Sequence, residues 1–234
     1  MAWTALDTKT SAKEYRTEVR AFIFDMDGVV IDSHPAHRKA WQQFLRTLGR
    51  EVSSGELEFI LDGRKRAEIL RHFLGDLSEP EVFEYGKRKD EFFQSSSNEV
   101  KPFPGIIGFL NQLRSRGIAA AIATSAGKSR TESTLQRLQL RDCFKVVVTG
   151  SDVRRGKPDP AIYNLARRLL NVRANNVVAI EDAPSGIMAA KAANLRCIGI
   201  ARARRAKVLA AAGADHVMRD FNGVSLDRLE ELLA

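Results

Sequence analysis

Residues 21–30 read AFIFDMDGVV, an apolar run that ends in two carboxylates one residue apart, Asp25 and Asp27, with Gly28 directly after them. A buried parallel strand reads as a near-continuous hydrophobic run. Ligands of open α/β sheets collect outside the carboxyl ends of such strands. Paired acids at that place hold a cation or do proton work, because an unpaired charge beside the core is expensive. On a solvated strand end the same two acids would do neither, so the other polar groups of the chain decide. Thr124 and Ser125 close a second apolar run, Lys157 lies in the segment GKPDP at 156–160, and Glu181 and Asp182 end a further apolar run. Each has a bland explanation alone: an N-cap, a turn, a solvated loop. Together they bring acids, a hydroxyl and one lysine to a single sheet edge. An oxygen-rich carboxylate site suits Mg²⁺, which takes few carboxylates, water and substrate phosphate. A lysine and a hydroxyl near a strand-to-helix turn suit phosphoryl oxygens. The chemistry that needs an aspartate nucleophile, a metal and positive charge around three oxygens is phosphoryl transfer.

Positioning these groups takes strands that end together. Besides residues 21–24, buried strands are expected at 118–124, 145–149, 177–180 and 197–200, with helices at 104–116, 129–138, 159–170, 185–193 and 225–233. Alternating strand and helix predicts an α/β fold, a doubly wound parallel, Rossmann-like sheet. Residues 35–97 break that rhythm. Trp41, Phe44, Leu45 and Leu48, then Ile69, Leu70, Phe73 and Leu74, recur at helical spacing, and no strand pattern interrupts them. An all-helical insert directly after the first strand sits above the carboxyl edge of the sheet, where a lid would be. The expected division is a polar lead-in at 1–19, an α/β core formed by 20–34 and 104–234, and a helical cap at 35–103.

Composition narrows the class. The chain has 234 residues, 44% hydrophobic and 28% charged, which is ordinary for a globular protein. Cys143 and Cys197 lie far apart and make no metal-binding spacing, which fits a reducing compartment. No stretch approaches membrane-spanning length, and residues 1–20 lack the apolar core of a signal peptide, so a cytoplasmic protein is expected. The balance is basic, 37 Lys+Arg against 29 Asp+Glu. The densest patch, 202–207 (RARRAK), has no aromatic residues interleaved, so a solvated helix face is favoured over nucleic-acid binding.

The four motifs, Asp25 to Gly28, Thr124–Ser125, Lys157 and the segment EDAPSG at 181–186, occur in an order that resembles haloacid dehalogenase-type hydrolases with a helical cap after the first motif. The resemblance runs from about residue 20 to the end. Asp27 is similar to the phosphatase and mutase branches rather than to the dehalogenases. It implies that Asp25 attacks phosphorus and that Asp27 protonates the leaving oxygen. It further implies that Asp25, Asp182, Glu181 and the Asp27 carbonyl provide for Mg²⁺. Thr124, Ser125 and Lys157 would then hold phosphoryl oxygens.

Within that family the chain is most similar to the β-phosphoglucomutase group and related sugar-phosphate phosphatases. The segment DSHPAHRKAW at 32–41 resembles the entry to the mutase cap, with His37 and Trp41 in the places of residues beside the acid/base aspartate. Residues 62–66 resemble the mutase specificity loop, with Arg66 at the place of a phosphate-binding arginine, and Lys89 falls near a cap lysine. Where the mutase pattern has a lysine before the loop glycine, this chain has Asp62. Where it has a serine and a lysine after the second motif, this chain has Ala126 and Gly127. A mutase must hold a bisphosphate in two orientations, whereas a phosphatase need only admit water. The expectation is therefore a Mg²⁺-dependent phosphatase acting on a small phosphorylated metabolite, with a hexose phosphate mutase as the alternative. A basic binding module without catalysis comes third.

Overall fold

The computed structural model describes residues 18–61, 63–202 and 204–233; the lead-in before residue 18 and Asp62 lie outside it. Strand β1 (Ala21–Phe24) runs into the short β2 (Ile31–Asp32). The chain then leaves the sheet for α1 (His34–Arg46), a 3-10 segment at Glu56–Leu61, α2 (Arg66–Leu74) and α3 (Glu79–Ser95). It returns through β3 (Lys101–Pro102), which pairs antiparallel with β2. Beyond this neck come α4 (Ile106–Ser115), β4 (Ala119–Ala123), α5 (Lys128–Arg137), β5 (Val146–Val148) and α6 (Ala161–Leu170). The chain closes with β6 (Val177–Glu181), α7 (Pro184–Ala192), β7 (Arg196–Ile200), α8 (Arg204–Ala211), β8 (His216–Met218) and α9 (Leu226–Leu232).

The sheet is parallel throughout, in the order β5-β4-β1-β6-β7-β8. This is the doubly wound α/β architecture that the alternation predicts. Strand β1 lies at its centre, between β4 and β6, and the strand order reverses about it. The crevice of an open sheet forms at such a reversal. Alternate β1 residues feed two cores. Phe22 and Phe24 pack with Phe109 and Phe144 on one face, whereas Ala21 and Ile23 face Ile162 and Tyr163 on the other. Each buried Phe contributes about 1.5–3 kcal/mol, so the strand that ends in Asp25 is anchored from both sides.

The helical segment has its own core of Trp41, Phe44, Leu45, Leu70 and Phe73. Helix α3 starts with a capping box in which the Glu81 carboxylate accepts the Ser78 backbone N–H at 2.8 Å. The β2–β3 neck and β8 were not expected from the pattern. The neck has only two residues a side, one of them Pro102, which an edge ribbon tolerates. Strand β8 is three half-buried residues at the sheet edge, too short to show a period. Among the described residues no helix is long and apolar enough to cross a membrane.

Candidate active site

Asp25 follows the last residue of β1, Thr124 that of β4, and Asp182 that of β6, while Glu181 is the last residue of β6. Parallel pairing in register, Phe24 opposite Ile122 and Ile180, brings these ends together. They form the floor of a cavity of about 610 Å³ roofed by the helical segment. Asp25, Asp27, His37, Trp41, Arg66, Lys89, Thr124, Ser125, Glu181 and Asp182 all line it. Lys157 lies beneath, buried, with its ammonium 2.5 Å from Asp25 Oδ1, 2.5 Å from Glu181 Oε1 and 3.0 Å from the Ala123 carbonyl.

Glu181 is saturated by the protein. Oε1 also accepts the Tyr163 hydroxyl at 2.6 Å, and Oε2 accepts the backbone N–H groups of Asp182 and Ala183. It therefore serves to fix Lys157. Gly186 is needed here, because a Cβ at that position would run into the Glu181 carboxylate.

Burial pushes the Asp25 carboxyl well above the usual carboxylate range. Glu181, Asp182 and Asp27 push it the same way, and Lys157 alone opposes them. Burial alone would lower Lys157, but Asp25 and Glu181 hold it above its ordinary 10.5, so it stays an ammonium.

Asp25, Glu181 and Asp182 each place a carboxylate oxygen within 4.8 Å of the others, all three buried. Three clustered carboxylates against one lysine leave a negative surplus that a divalent cation would neutralise. Asp182 Oδ2 is buried, with the His34 imidazole 2.9 Å away, and the Asp182 carboxylate holds His34 above its ordinary 6.5 although burial acts to lower it. As part of this buried carboxylate trio that oxygen fits a metal ligand. Gly28 adopts φ +79°, and a Cβ there would collide with Asp182 Oδ2 and His34, so the turn after Asp27 requires glycine.

The Asp27 side chain is not part of this group. Its Oδ1 accepts from Ser33 Oγ at 2.7 Å and from His37 Nε2 at 3.2 Å, and Arg130 grips both oxygens, at 3.0 and 2.5 Å. Burial acts to raise Asp27, but Arg130 and His37 outweigh it and hold the carboxyl well below the usual range.

His37 Nδ1 lies 3.2 Å from the Lys89 ammonium, which can only donate. The Nε2 proton is therefore directed at Asp27, and the roof and floor are joined as Lys89, His37, Asp27. Burial, with the Lys89 charge, drives His37 down to about 3 from 6.5. Burial and the Arg130 charge likewise lower Lys89 to about 8. The sign for stability follows. The unfolded chain protonates His37 below 6.5 and the folded chain resists it, so this contribution is complete above 6.5 and is lost as pH falls toward 3. The slope is at most about 1.4 kcal/mol per pH unit. In His37→Gln it disappears. The urea midpoint of that variant should fall less than the parent's between about pH 7 and about pH 5. Parallel slopes would show that His37 titrates normally.

Of the remaining cap residues, Trp41 packs into the cap core with its ring 5.6 Å from the Lys89 ammonium. Arg66 is ion-paired to Asp90 and donates to the Gly86 carbonyl at 3.3 Å. Leu61, Gly63 and Lys65 are fastened to the core. Arg205 donates to the Leu61 carbonyl at 3.1 Å and to the Asp182 carbonyl at 3.0 Å. Ser125 Oγ donates to the Gly63 carbonyl at 3.4 Å, and Lys65 to the Arg154 carbonyl at 3.0 Å. The basic patch is thus only partly a solvated face, since Arg205 turns inward. Sequence reasoning missed Arg130, His34, Tyr163 and Arg205. Arg130 did carry a signal: with Lys128 it places two cations in the first turn of α5, where the helix dipole favours acids.

A buried carboxylate against a lysine, an acid trio and a further acid beneath a helical segment form an arrangement to compare with known proteins. The family model for haloacid dehalogenase-like hydrolases matches residues 22–200. The chain is 33% identical over 219 residues to a phosphorylated carbohydrates phosphatase of Thermotoga maritima, covering 92% of this chain and 97% of that protein. It is 30% identical to the β-phosphoglucomutase of Bacillus subtilis, over 91% and 95% of the two chains. The structure of a β-phosphoglucomutase from Clostridium difficile superposes with a TM-score of 0.81 at 26% identity, covering 92% of this chain and 97% of that one. The motifs, the sheet order and these matches agree, and the chain belongs to the haloacid dehalogenase-like hydrolase family.

Proposed function

We propose that this protein is a Mg²⁺-dependent phosphatase that hydrolyses a small phosphorylated metabolite, a sugar phosphate, through an aspartyl-phosphate on Asp25. The observation that carries the reading is the placement of Asp25: at the end of the central strand, against the Lys157 ammonium, facing a cavity large enough for a small ester. In the proposed mechanism Asp25 attacks phosphorus in line and expels the leaving oxygen. Once released from Arg130 and protonated, Asp27 supplies a proton to that oxygen; the resulting carboxylate then takes a proton from the water that attacks the aspartyl-phosphate, which frees phosphate and restores Asp25. The Thr124 hydroxyl, the Ser125 N–H and Lys157 hold the phosphoryl oxygens and stabilise the charge that develops on them. The roof excludes bulk water, with His37, Trp41, Arg66 and Lys89 facing the leaving group. Asp25 and Asp182, with the Asp27 carbonyl, would hold Mg²⁺, and Glu181 would act on the site through Lys157, which it fixes. The ion, when bound, supplies positive charge that polarises the phosphoryl group and offsets repulsion between Asp25 and the incoming anion.

The relatives that bear phosphatase names support hydrolysis, and the change to Ala126 and Gly127 weakens the case for a mutase. Both cysteines are free thiols, which supports a reducing, cytoplasmic setting.

A panel of phosphorylated sugars scored for both phosphate release and isomerisation tests the reading. Phosphate should appear, and glucose 6-phosphate formed from β-glucose 1-phosphate should not accumulate. Excess EDTA should abolish turnover and Mg²⁺ restore it. Mg²⁺ at about 100 times its Kd should also stabilise the chain by about 2.7 kcal/mol, an effect missing in Asp182→Asn. Full activity in EDTA would exclude the metal site.

A further inference from the structure

We propose that Arg205 is a positioning residue that couples closure of the helical segment to occupation of the metal end of the site, so that Mg²⁺ and the shut roof favour one another. The inference rests on the phosphatase reading above and deepens it.

One nitrogen serves both bodies. Arg205 Nη2 donates to the Leu61 carbonyl at 3.1 Å and to the Asp182 carbonyl at 3.0 Å. Leu61 belongs to the helical segment, whereas Asp182 is a core residue whose carboxylate is placed to hold the ion. On the same guanidinium Nη1 lies 3.7 Å from Glu58 Oε2, and Glu58 is paired in turn to Arg38 of α1. A guanidinium carries its donors in a rigid plane. An Asp182 carbonyl turned out of place therefore misdirects the donor meant for Leu61, and a departed Leu61 leaves the guanidinium less firmly set on Asp182. Arg202, Arg204 and Lys207 of the basic patch are exposed and Arg205 is not, so this task accounts for the one member that a solvated face does not.

The two surfaces that the clasp joins are packed tightly. A Cβ on Gly63 would meet Ser185 Oγ at 2.7 Å and Ala183 Cβ at 2.8 Å. Residues 182–185 thus carry a metal ligand at one end and support the roof at the other. An ion held by Asp182 would order this segment, and so would a roof pressed upon it. Two events that order the same segment each reduce what the other must still order, and the coupling is reciprocal.

The helical segment is also built to move as a body. Its core, around Phe44, Leu70 and Phe73, is a cluster of its own beside the two cores of the sheet. Its chain connections pass through the two-residue strands of the β2–β3 neck, and hinges of this kind consist of a few residues at the ends of elements.

The test follows backbone amide hydrogen exchange of residues 57–61 in the parent, Arg205→Ala and Arg205→Lys, each with and without Mg²⁺, with Mg²⁺ binding measured by calorimetry. In the parent the ion should slow exchange of this segment on the order of 10-fold. Arg205→Ala should still bind Mg²⁺, but its segment should exchange fast whether or not the ion is present. Arg205→Lys keeps the charge and a donor without the planar fork, and should regain part of the response. An equal Mg²⁺ response in the parent and Arg205→Ala overturns the inference and leaves Arg205 a structural residue. A parent whose segment exchanges alike with and without bound Mg²⁺ overturns it too. Should Arg205→Ala fail to fold, Arg205→Lys carries the test alone: its response must be smaller than the parent's, and an equal one overturns the inference. In each of those cases the phosphatase reading survives if Asp25→Asn abolishes phosphate release. A parent that binds no Mg²⁺, and so matches Asp182→Asn, overturns the metal site of that reading and the inference with it.

Discussion

Replacing Asp25 by Asn is expected to lower phosphate release by a factor on the order of 10³ or more, as loss of a covalent nucleophile does. The fold should survive. Burial pushes the Asp25 carboxyl well above the usual carboxylate range, so at neutral pH the acid is a burden on the fold that the neutral amide does not carry. The amide oxygen can still accept from Lys157. Melting temperature should therefore be unchanged or higher while turnover vanishes. Measuring both on one preparation separates chemistry from stability. A folded Asp25→Asn enzyme with a near-normal rate would end the aspartyl-phosphate mechanism.

Lys157→Met should fail in both respects. The ammonium is the cation shared by Asp25 and Glu181, and its loss leaves Glu181 fully buried with only Tyr163 and two backbone N–H groups. Removing one partner of a buried ion pair commonly destabilises by about 3–5 kcal/mol. For a chain of this size that is a drop in melting temperature of about 6–20 °C. Because the pKa of Lys157 is raised in the fold, this stabilisation is complete at neutral pH and is lost only as pH rises past its folded value. Turnover should fall by about 10²–10³ as well, since the positive charge on the phosphoryl oxygens goes with it. Glu181→Gln in the same chain should return much of the stability and none of the activity. A Lys157→Met enzyme as stable as the parent would show that the buried triad is not organised as described.

Much of the site was legible before any coordinates. Asp25, Thr124, Glu181 and Asp182 each sit at the end of an apolar run, and the parallel sheet converts that local pattern into proximity. Lys157 showed itself through its turn, GKPDP after an apolar run, rather than through any period, because the loop that holds it has none. Trp41 and Ile69 showed their helices through spacing alone. The residues that escaped act through distance along the chain. Arg130 lies 103 positions from Asp27 and Tyr163 lies 18 from Glu181, and nothing in either local sequence names its partner. Strand β8 and the β2–β3 neck escaped for another reason: two or three residues cannot display a repeat, and pairing rather than propensity makes them strands.

The fastening of the loop at 61–65 has a consequence for how such enzymes diverge. Two of the donors are core side chains, Arg205 and Ser125, and they bind the main-chain carbonyls of Leu61 and Gly63, whereas Lys65 donates its own ammonium and Gly63, at φ +71°, must stay glycine because a Cβ would meet Ser185 and Ala183. Every amino acid brings the same carbonyl. Mutation at positions whose side chains take no part in the fastening can therefore change the groups presented to the ligand while those two carbonyl attachments persist. Selection for a new substrate and retention of a working enclosure draw on different atoms, so the loop can drift through alternative specificities without first passing through an open, inactive ancestor.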